Sequence, residues 1–156
     1  MTKTDEWFKN RILNQANSFL LNDDYDYNCF KLEDLDNNVQ KCIKNILGKD
    51  EIPVLVFFDN CEKWTVLCTQ CLCSYYDKKL YYVHKNDLSQ RIIPYVNKNG
   101  NIDKDGVPIS KYLLKENVHW LKMLETGEVI WLPSPKELWS FWGILPMLGK
   151  LNPKEI

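Results

Sequence analysis

The chain has 156 residues, of which 45% are hydrophobic and 26% charged, and its formal net charge is −1. This length fits one ordinary domain, and the composition is that of a folded chain. The near-balance of 20 basic against 21 acidic residues argues against a general nucleic-acid binder, because such domains are usually strongly basic. No apolar run reaches the roughly 18–20 residues that span a bilayer. The N-terminal segment MTKTDEWFKNRIL lacks the apolar core of a signal peptide, so we expect a cytoplasmic protein.

The first 48 residues predict two helices. Apolar residues recur at helical spacing over 5–21, and the turn-forming residues 22–24 end this helix. An aromatic and acidic connector follows over 25–34. The second helix begins after Asp36, a suitable N-cap, and ends at Gly48. We therefore expect residues 1–48 to form a helical N-terminal extension.

Short apolar runs separated by turn residues predict an antiparallel meander of about seven or eight strands after Gly48. A polar loop over 97–106 interrupts them, and Pro94 places its own strand at an edge or bulge because proline cannot donate to the ladder. The runs lie at 53–58, 64–69, 72–76, 80–84, 88–96, 107–114, 118–124 and 128–132.

The last helix has the clearest start signal. Ser134 is a suitable N-cap, Pro135 fits the first helical position, and Glu137 completes a capping box by reaching back. Gly149 is the expected end. Apolar residues at helical spacing then face the sheet, namely Leu138, Phe141, Trp142, Leu145 and Leu148. The predicted fold is α+β, with two N-terminal helices and a curled antiparallel sheet or partly open barrel closed by this helix, and residues 49–156 form one compact unit.

Six cysteines lie at positions 29, 42, 61, 68, 71 and 73. Without an export signal, we expect all six to be free thiols. The motif Cys68-Thr-Gln-Cys71, followed by Cys73, lacks the second C-x-x-C or histidine pair of a zinc knuckle. It also lies between strands, whereas a thioredoxin-like motif opens a helix. We interpret these cysteines as small buried apolar residues, with a metal site as the less favoured alternative, and expect no cofactor.

Catalytic and metal-binding motifs are weak. The loop at 101–112 matches an EF-hand at its first positions, but Tyr112 replaces the glutamate of position twelve, so we expect a solvated loop. His84 and His119 are the only histidines, and neither belongs to a recognisable catalytic constellation. No glycine-rich phosphate loop occurs. We therefore predict no catalytic residues and no metal ligands.

Two tyrosine pairs on neighbouring strands suggest a binding surface. Because strands alternate faces, one tyrosine of each pair points inward and the other outward. Outward tyrosines beside lysines make an amphipathic patch suited to a protein partner, although cross-strand aromatic pairing that stabilises the hairpin is the slightly favoured explanation. The candidate partner-binding residues are Tyr75, Tyr76, Lys78, Lys79, Tyr81, Tyr82 and, on the last helix, Trp139.

The stretch WTVLCTQCLCSYYDKKLYYV at 64–83, followed by Asn86-Asp87-Leu88-Ser89, resembles the bacterial pleckstrin-homology-like domains. The segment from Trp120 through the helix ending near Leu148 resembles the last hairpin and capping helix of that family. The resemblance covers about residues 50–149 and implies a pleckstrin-homology-like fold without catalytic residues. The lipid-binding members of the wider fold use basic residues in the first hairpin loop. Here that loop, residues 59–63, is acidic on balance, so phosphoinositide binding is not expected.

These observations together predict a non-catalytic cytoplasmic module that binds another protein. By analogy with small cytoplasmic proteins that lack catalytic motifs, a toxin-neutralising immunity protein or another inhibitor fits this class. The alternative is a small-ligand-binding protein or a hydrolase with a pocket at the open end of the barrel. A filled interior would favour the binding module, and a large polar cavity the alternative.

Overall fold

The computed structural model describes residues 2–95 and 118–151. The predicted strand at 107–114 and the EF-hand-like loop lie outside these residues. Three α-helices are present in the described part: α1 (Lys3–Ala16), α2 (Asn37–Leu47) and α3 (Pro135–Lys150). Short 3-10 helices occupy Leu32–Asp34 and Lys85–Ser89. The strands are β1 (Phe30–Lys31), β2 (Pro53–Asn60), β3 (Lys63–Cys68), β4 (Cys71–Tyr76), β5 (Lys79–His84), β6 (Ile92–Tyr95), β7 (Trp120–Met123) and β8 (Val129–Trp131).

The strands form two antiparallel sheets rather than one curled sheet. The larger sheet has the order β1-β2-β3-β4-β5, and the smaller one has the order β6-β7-β8. The α+β class is confirmed, but the described residues form no closed barrel. The predicted strand at 88–96 begins only at Ile92 because Lys85–Ser89 forms a 3-10 helix. Pro94 lies, as predicted, on an edge strand of its sheet.

The N-terminal helices are joined to the sheet by the connector between them. Phe30 in β1 pairs with Val56 in β2, so the first 48 residues also contain a strand. α1 ends at Ala16, five residues before the predicted end, and tight turns follow in which Leu21 N–H donates to Ala16 O (2.9 Å). Asn17 and Ser18 favour such turns because their side chains compete for backbone hydrogen bonds. α2 lies between Asp36, whose carboxylate accepts from Asn38 N–H, and Gly48 at φ +90°.

The two faces of the large sheet are covered by different elements. One face packs against α2, and its buried residues include Val56, Trp64 and Val66. The other face packs against α1, α3 and the small sheet, with Phe57 against the Phe141 ring (4.8 Å between centroids). None of the helices in the described part of the chain has the length and apolar composition to cross a bilayer.

A closed ring of buried hydrogen bonds joins the two sheets. The Thr65 hydroxyl donates to Trp131 O (2.5 Å), the Trp131 N–H donates to Ser74 Oγ (3.0 Å), and the two hydroxyls are 2.7 Å apart. Because the Thr65 hydroxyl donates its proton to Trp131 O, the Ser74 hydroxyl is the donor in the bond to Thr65 Oγ1. Each hydroxyl therefore has both a donor and an acceptor partner, as a fully buried polar group requires.

We predict that Ser74→Ala lowers the free energy of unfolding by about 1–3 kcal/mol, because Trp131 N–H would lose its buried partner. Thr65→Val breaks the same ring by removing the Thr65 hydroxyl, which bonds to both Ser74 and Trp131. A double-mutant cycle measured by chemical denaturation should give a coupling of about 0.5–3 kcal/mol between these positions. Thr65→Ser, which retains the hydroxyl, is the control. Additive effects of the two substitutions would contradict a shared ring.

The start of α3 differs in detail from the predicted capping box. The Ser134 hydroxyl donates to the Glu137 carboxylate rather than capping a backbone N–H, and Glu137 also accepts from Asn28 N–H (2.8 Å). Gly149 does not end the helix, which continues to Lys150. A Cβ at Gly149 would overlap the backbone of Leu88 and Ser89. Glycine is therefore needed here for the close approach of α3 to the 3-10 helix.

The prediction that all six cysteines are free thiols is wrong for two of them. Cys42 on α2 and Cys61 in the β2–β3 turn form a disulfide, with their Cα atoms 5.8 Å apart. Cys29, Cys68, Cys71 and Cys73 are free and buried. The disulfide depends on how α2 lies across the sheet, so the spacing of the cysteines in the sequence did not indicate it.

We expect alkylation of the denatured, non-reduced, metal-free protein to add four labels, and six after reduction, as measured by mass spectrometry. The disulfide closes a loop with a sequence separation of 19, so its loss should lower the free energy of unfolding by roughly 3 kcal/mol. In chemical denaturation, the free energy of unfolding of Cys42→Ser/Cys61→Ser should therefore equal that of reduced wild type and lie below that of oxidised wild type. Six labels without reduction would contradict the disulfide.

Candidate functional site

The register of β4 and β5 separates the predicted tyrosine patch into two faces. Tyr75 pairs with Leu80 and Cys73 pairs with Tyr82, so Tyr75 and Tyr82 lie on the face that α2 covers. Tyr76 and Tyr81 lie on the opposite face, where their rings stack at 4.6 Å. One tyrosine of each pair therefore points to each side, as strand alternation predicts.

Exposure differs strongly among these tyrosines. Tyr76 is 7% exposed, and its hydroxyl donates to Val129 O (2.6 Å). Tyr82 is 45% exposed, and Tyr75 is half-buried against the Trp64 ring (5.4 Å). Tyr76 therefore connects the two sheets and offers little surface to a partner. Lys78 and Lys79 are exposed at the hairpin turn, and Tyr81 is half-buried.

We expect Tyr76→Ala to lower the free energy of unfolding by about 3–5 kcal/mol, as large-to-small core substitutions do. Tyr82→Ala is the matched variant on the neighbouring strand and should change it by less than about 1 kcal/mol, because the side chain is exposed. Chemical denaturation measures both. Equal losses for the two variants would contradict the observed division of the tyrosines between an inner and an outer face.

A cluster of thiols and a carboxylate lies at the end of the β3–β4 hairpin. Cys71 Sγ is 3.6 Å from Cys73 Sγ and 3.0 Å from Glu51 Oε2. The ligand atoms of Glu51, Cys68 and Cys71 all lie within 4.8 Å of one another. The three cysteines are fully buried and Glu51 is half-buried. We call these four residues the thiol cluster.

The turn between Cys68 and Cys71 is held from two sides. The Thr69 hydroxyl and the Gln70 side-chain amide both donate to Asp5 Oδ1, at 3.0 and 3.1 Å. Thr69 N–H donates to Ile52 O (3.1 Å), which fixes the residue next to Glu51. Burial acts to raise the pKa of Asp5, but hydrogen bonds from Thr2, Gln70 and Thr69 outweigh it and lower that pKa.

The thiol cluster shifts the pKa values of its members in opposite directions. Hydrogen bonds from Cys68 and Cys73 lower the pKa of Cys71, whereas the hydrogen bond to Cys71, together with burial, raises the pKa of both neighbours. Burial and the contact with Cys71 raise the pKa of Glu51 to about 7. The ionisation of Cys71 is therefore linked to the protonation of its two neighbouring thiols and of Glu51.

His84 lies directly opposite Cys71 across the β4–β5 ladder, although the two are far apart in sequence. Its Nδ1 accepts from Asn86 N–H (3.1 Å) and caps the 3-10 helix Lys85–Ser89. The exposed ring thus caps this 3-10 helix at the point where β5 ends.

A second notable surface is formed by residues 17–36, which we call the acidic aromatic surface. This segment carries six carboxylates and one lysine, a formal charge of −5, so the rest of the chain carries +4 of the net −1. All six carboxylate residues are exposed. Phe19, Tyr25 and Phe30 are exposed aromatic residues of the same segment. A groove of about 410 Å³ runs among its acidic and aromatic side chains, including Asp23, Asp26 and Asp34.

Local hydrogen bonds hold the acidic aromatic surface in shape. Asn22 Oδ1 accepts from Asp24 N–H (3.0 Å), and Tyr25 N–H donates to Asn22 O (3.0 Å). The Tyr27 hydroxyl accepts from Ser140 on α3 (3.3 Å), and Lys136 Nζ donates to Asp26 O. The surface is thereby anchored to α3, whose exposed Trp139 lies on the same side of the helix as Lys136 and Ser140.

A separate depression of about 400 Å³ is lined by several residues, among them Lys63, His119, Trp120 and Trp131. The Lys63 ammonium lies over both tryptophan rings, 5.7 and 5.3 Å from their centroids, so it already has cation–π partners. His119 Nδ1 is 3.2 Å from Leu132 O. In the described part of the chain, His119 makes no hydrogen bond to a carboxylate, as a catalytic pair would.

Sequence reasoning identified Cys68, Cys71 and Cys73 but not Glu51, which lies 17 residues before Cys68 and is brought to the thiols by the β2–β3 pairing. It also described the 25–34 connector as acidic and aromatic without predicting a surface there. The local count of six carboxylates against one lysine over 17–36 was the available signal.

Comparison with known proteins identifies no family: no family model, curated protein or solved structure matches the chain.

Proposed function

We propose that the protein is a non-catalytic module that binds a cationic surface of another protein through the acidic aromatic surface. The carrying observation is the segregation of charge, with −5 on residues 17–36 of a chain whose total is −1. Complementary charge steers association and selects partners. The exposed Phe19 and Tyr25 rings, 5.5 Å apart, add the aromatic contacts that dominate many interfaces.

Three features support binding over the alternative of a small-ligand or hydrolytic pocket. The space between the sheets is filled by apolar side chains such as Leu67, Leu72 and Leu121, each at most 1% exposed. The gap beside Phe8 and Leu67 in the described residues holds only about 10 Å³. The larger depressions are lined partly by exposed charged residues such as Asp59 and Lys78. A filled interior is expected of a module that acts with its outer surface.

Several finer expectations belong to this proposal. We propose a pleckstrin-homology-like fold in which α3, the helix after the last hairpin, is the closing helix, and inhibition or toxin neutralisation is the role we propose within it. Phosphoinositide binding is not part of the proposal, because the β2–β3 turn contains Glu62 and the disulfide-bonded Cys61. General nucleic-acid binding is not part of it either, because the chain has 20 basic against 21 acidic residues. The location within this proposal is cytoplasmic, on the basis of the four free thiols, with the Cys42–Cys61 disulfide as the one observation against it.

The predicted tyrosine patch on the β4–β5 hairpin is a secondary candidate for the binding surface. Tyr82, Lys78 and Lys79 are exposed, but Tyr76 and much of Tyr75 and Tyr81 are committed to internal packing. Trp139 remains a candidate contact because it borders the acidic aromatic surface.

The test uses two variants with equal loss of charge. Asp23→Asn/Asp26→Asn/Asp34→Asn neutralises the groove, and Glu62→Gln/Asp77→Asn/Glu125→Gln neutralises exposed acids elsewhere. A photo-crosslinking residue at position 19 captures the partner from cells, and titration calorimetry then measures its affinity. We expect a partner with a basic contact surface, whose binding weakens at least tenfold in the first variant and changes little in the second.

Binding that weakens equally in both variants would contradict the proposal, because it would reflect net charge alone. A captured protein with an acidic contact surface would contradict it as well. Loss of binding in Tyr82→Ala, with the groove variant unaffected, would move the interface to the β4–β5 hairpin.

A further inference from the structure

The thiol cluster has a geometry that simple packing of cysteines does not require. Cys68 and Cys71 flank a two-residue turn, and Cys73 follows on the same face of β4 because strand residues alternate. Three sulfur atoms therefore converge on one side of a single hairpin. Glu51 adds a carboxylate oxygen 3.0 Å from the central sulfur, where an apolar residue would serve packing better.

The distances among three of these atoms fit a tetrahedral metal ion, whereas Cys73 approaches Cys71 but does not belong to the group whose ligand atoms all lie within 4.8 Å of one another. Zinc binds thiolate sulfur at about 2.3 Å, which places two sulfur ligands about 3.8 Å apart at a tetrahedral angle. Cys71 and Cys73 are 3.6 Å apart. The ligand atoms of Glu51, Cys68 and Cys71, all within 4.8 Å of one another, need to shift by about 1 Å or less to reach a common centre.

The surroundings also suit a metal centre. Asp5 and the backbone of Ile52 hold the Thr69-Gln70 turn that spaces Cys68 from Cys71, so the sulfur atoms are arranged before a ligand arrives. Three thiolates and a carboxylate would leave two negative charges in excess around a divalent ion. Lys85 lines the same small gap as Cys68 and Cys71. Its ammonium lies 3.8 Å from the Phe8 ring centroid.

We propose that Glu51, Cys68, Cys71 and Cys73 form a structural zinc site with three sulfur ligands and one oxygen ligand. Coordination needs no oxidant or reductant, because each thiol releases a proton to solvent as its sulfur binds the ion. Four protein ligands leave no open position, so the site stabilises the hairpin and is not a hydrolytic centre. This site lies apart from the acidic aromatic surface and does not depend on the proposed function.

The test is a titration of the metal-free, full-length protein with Co²⁺, followed by displacement with Zn²⁺ under anaerobic conditions. Wild type should give a thiolate-to-cobalt charge-transfer band and the intense visible bands of a tetrahedral site, saturating at one equivalent and lost on addition of zinc. When the zinc-bound protein is denatured in the presence of maleimide, bound zinc should protect three thiols, and only Cys29 should react.

Variants separate ligation from packing. Cys71→Ser should abolish the charge-transfer band, and Glu51→Gln, at a half-buried position where folding is preserved, should weaken Zn²⁺ binding at least about tenfold. Cys29→Ser removes the free thiol that lies outside the thiol cluster and should leave the spectrum unchanged. Circular dichroism of each variant establishes that it is folded.

An absent charge-transfer band in folded wild type would overturn the proposal. A Cys68–Cys71 disulfide in the purified protein, or copper(I) bound in place of zinc, would overturn it too. The proposal would also be overturned if Glu51→Gln bound Zn²⁺ as tightly as wild type, since Glu51 would then not be a ligand of the ion.

Discussion

The hydrogen-bond ring of Thr65, Ser74 and Trp131 is the constraint on which the rest of the structure depends. Hydroxyls of two neighbouring strands meet both backbone groups of one residue in the other sheet, and no apolar contact has that specificity. Because the side-chain period of a strand is two residues, this ring determines which face of β3 and β4 turns toward the small sheet. A slip of one residue would bury Cys73 there and turn Ser74 toward α2.

The same choice of face brings the cysteines together. With Thr65 and Ser74 directed inward, Cys68, Cys71 and Cys73 must point to the side that α2 covers, together with Val66 and Trp64. The Cys42–Cys61 disulfide then fastens α2 to the β2–β3 turn. The thiol cluster is thus enclosed between a helix with a covalent tether and a hairpin whose turn is held by Asp5. These restraints make it more ordered than scattered buried cysteines would be.

Local patterns in the sequence predicted the elements well and their arrangement poorly. The β2–β5 meander, the Asp36 and Gly48 boundaries of α2 and the Ser134 start of α3 all depend on residues close together in the chain. The division into two sheets, the β1–β2 pairing and the disulfide depend on long-range contacts that no local pattern records. Trp142 illustrates the difference: its spacing predicted a residue that faces the sheet, and the half-buried ring does pack against the core, but no local pattern indicated that its indole N–H donates to Ile92 O (2.8 Å).

The N-terminal segment takes part in both the thiol cluster and the acidic aromatic surface, so the word extension understates its role. α1 supplies Asp5 to the turn of the thiol cluster, and α2 covers the sulfur atoms. Between them, Asn28 extends the sheet, since its side-chain amide donates to Phe58 O (2.8 Å) while its backbone N–H donates to Glu137 on α3. Asn28 therefore joins the large sheet to the last helix from the middle of the acidic aromatic surface. A partner bound on that surface would rest on backbone held at both ends, so binding need not order a loose loop, and the entropic cost of association is correspondingly smaller.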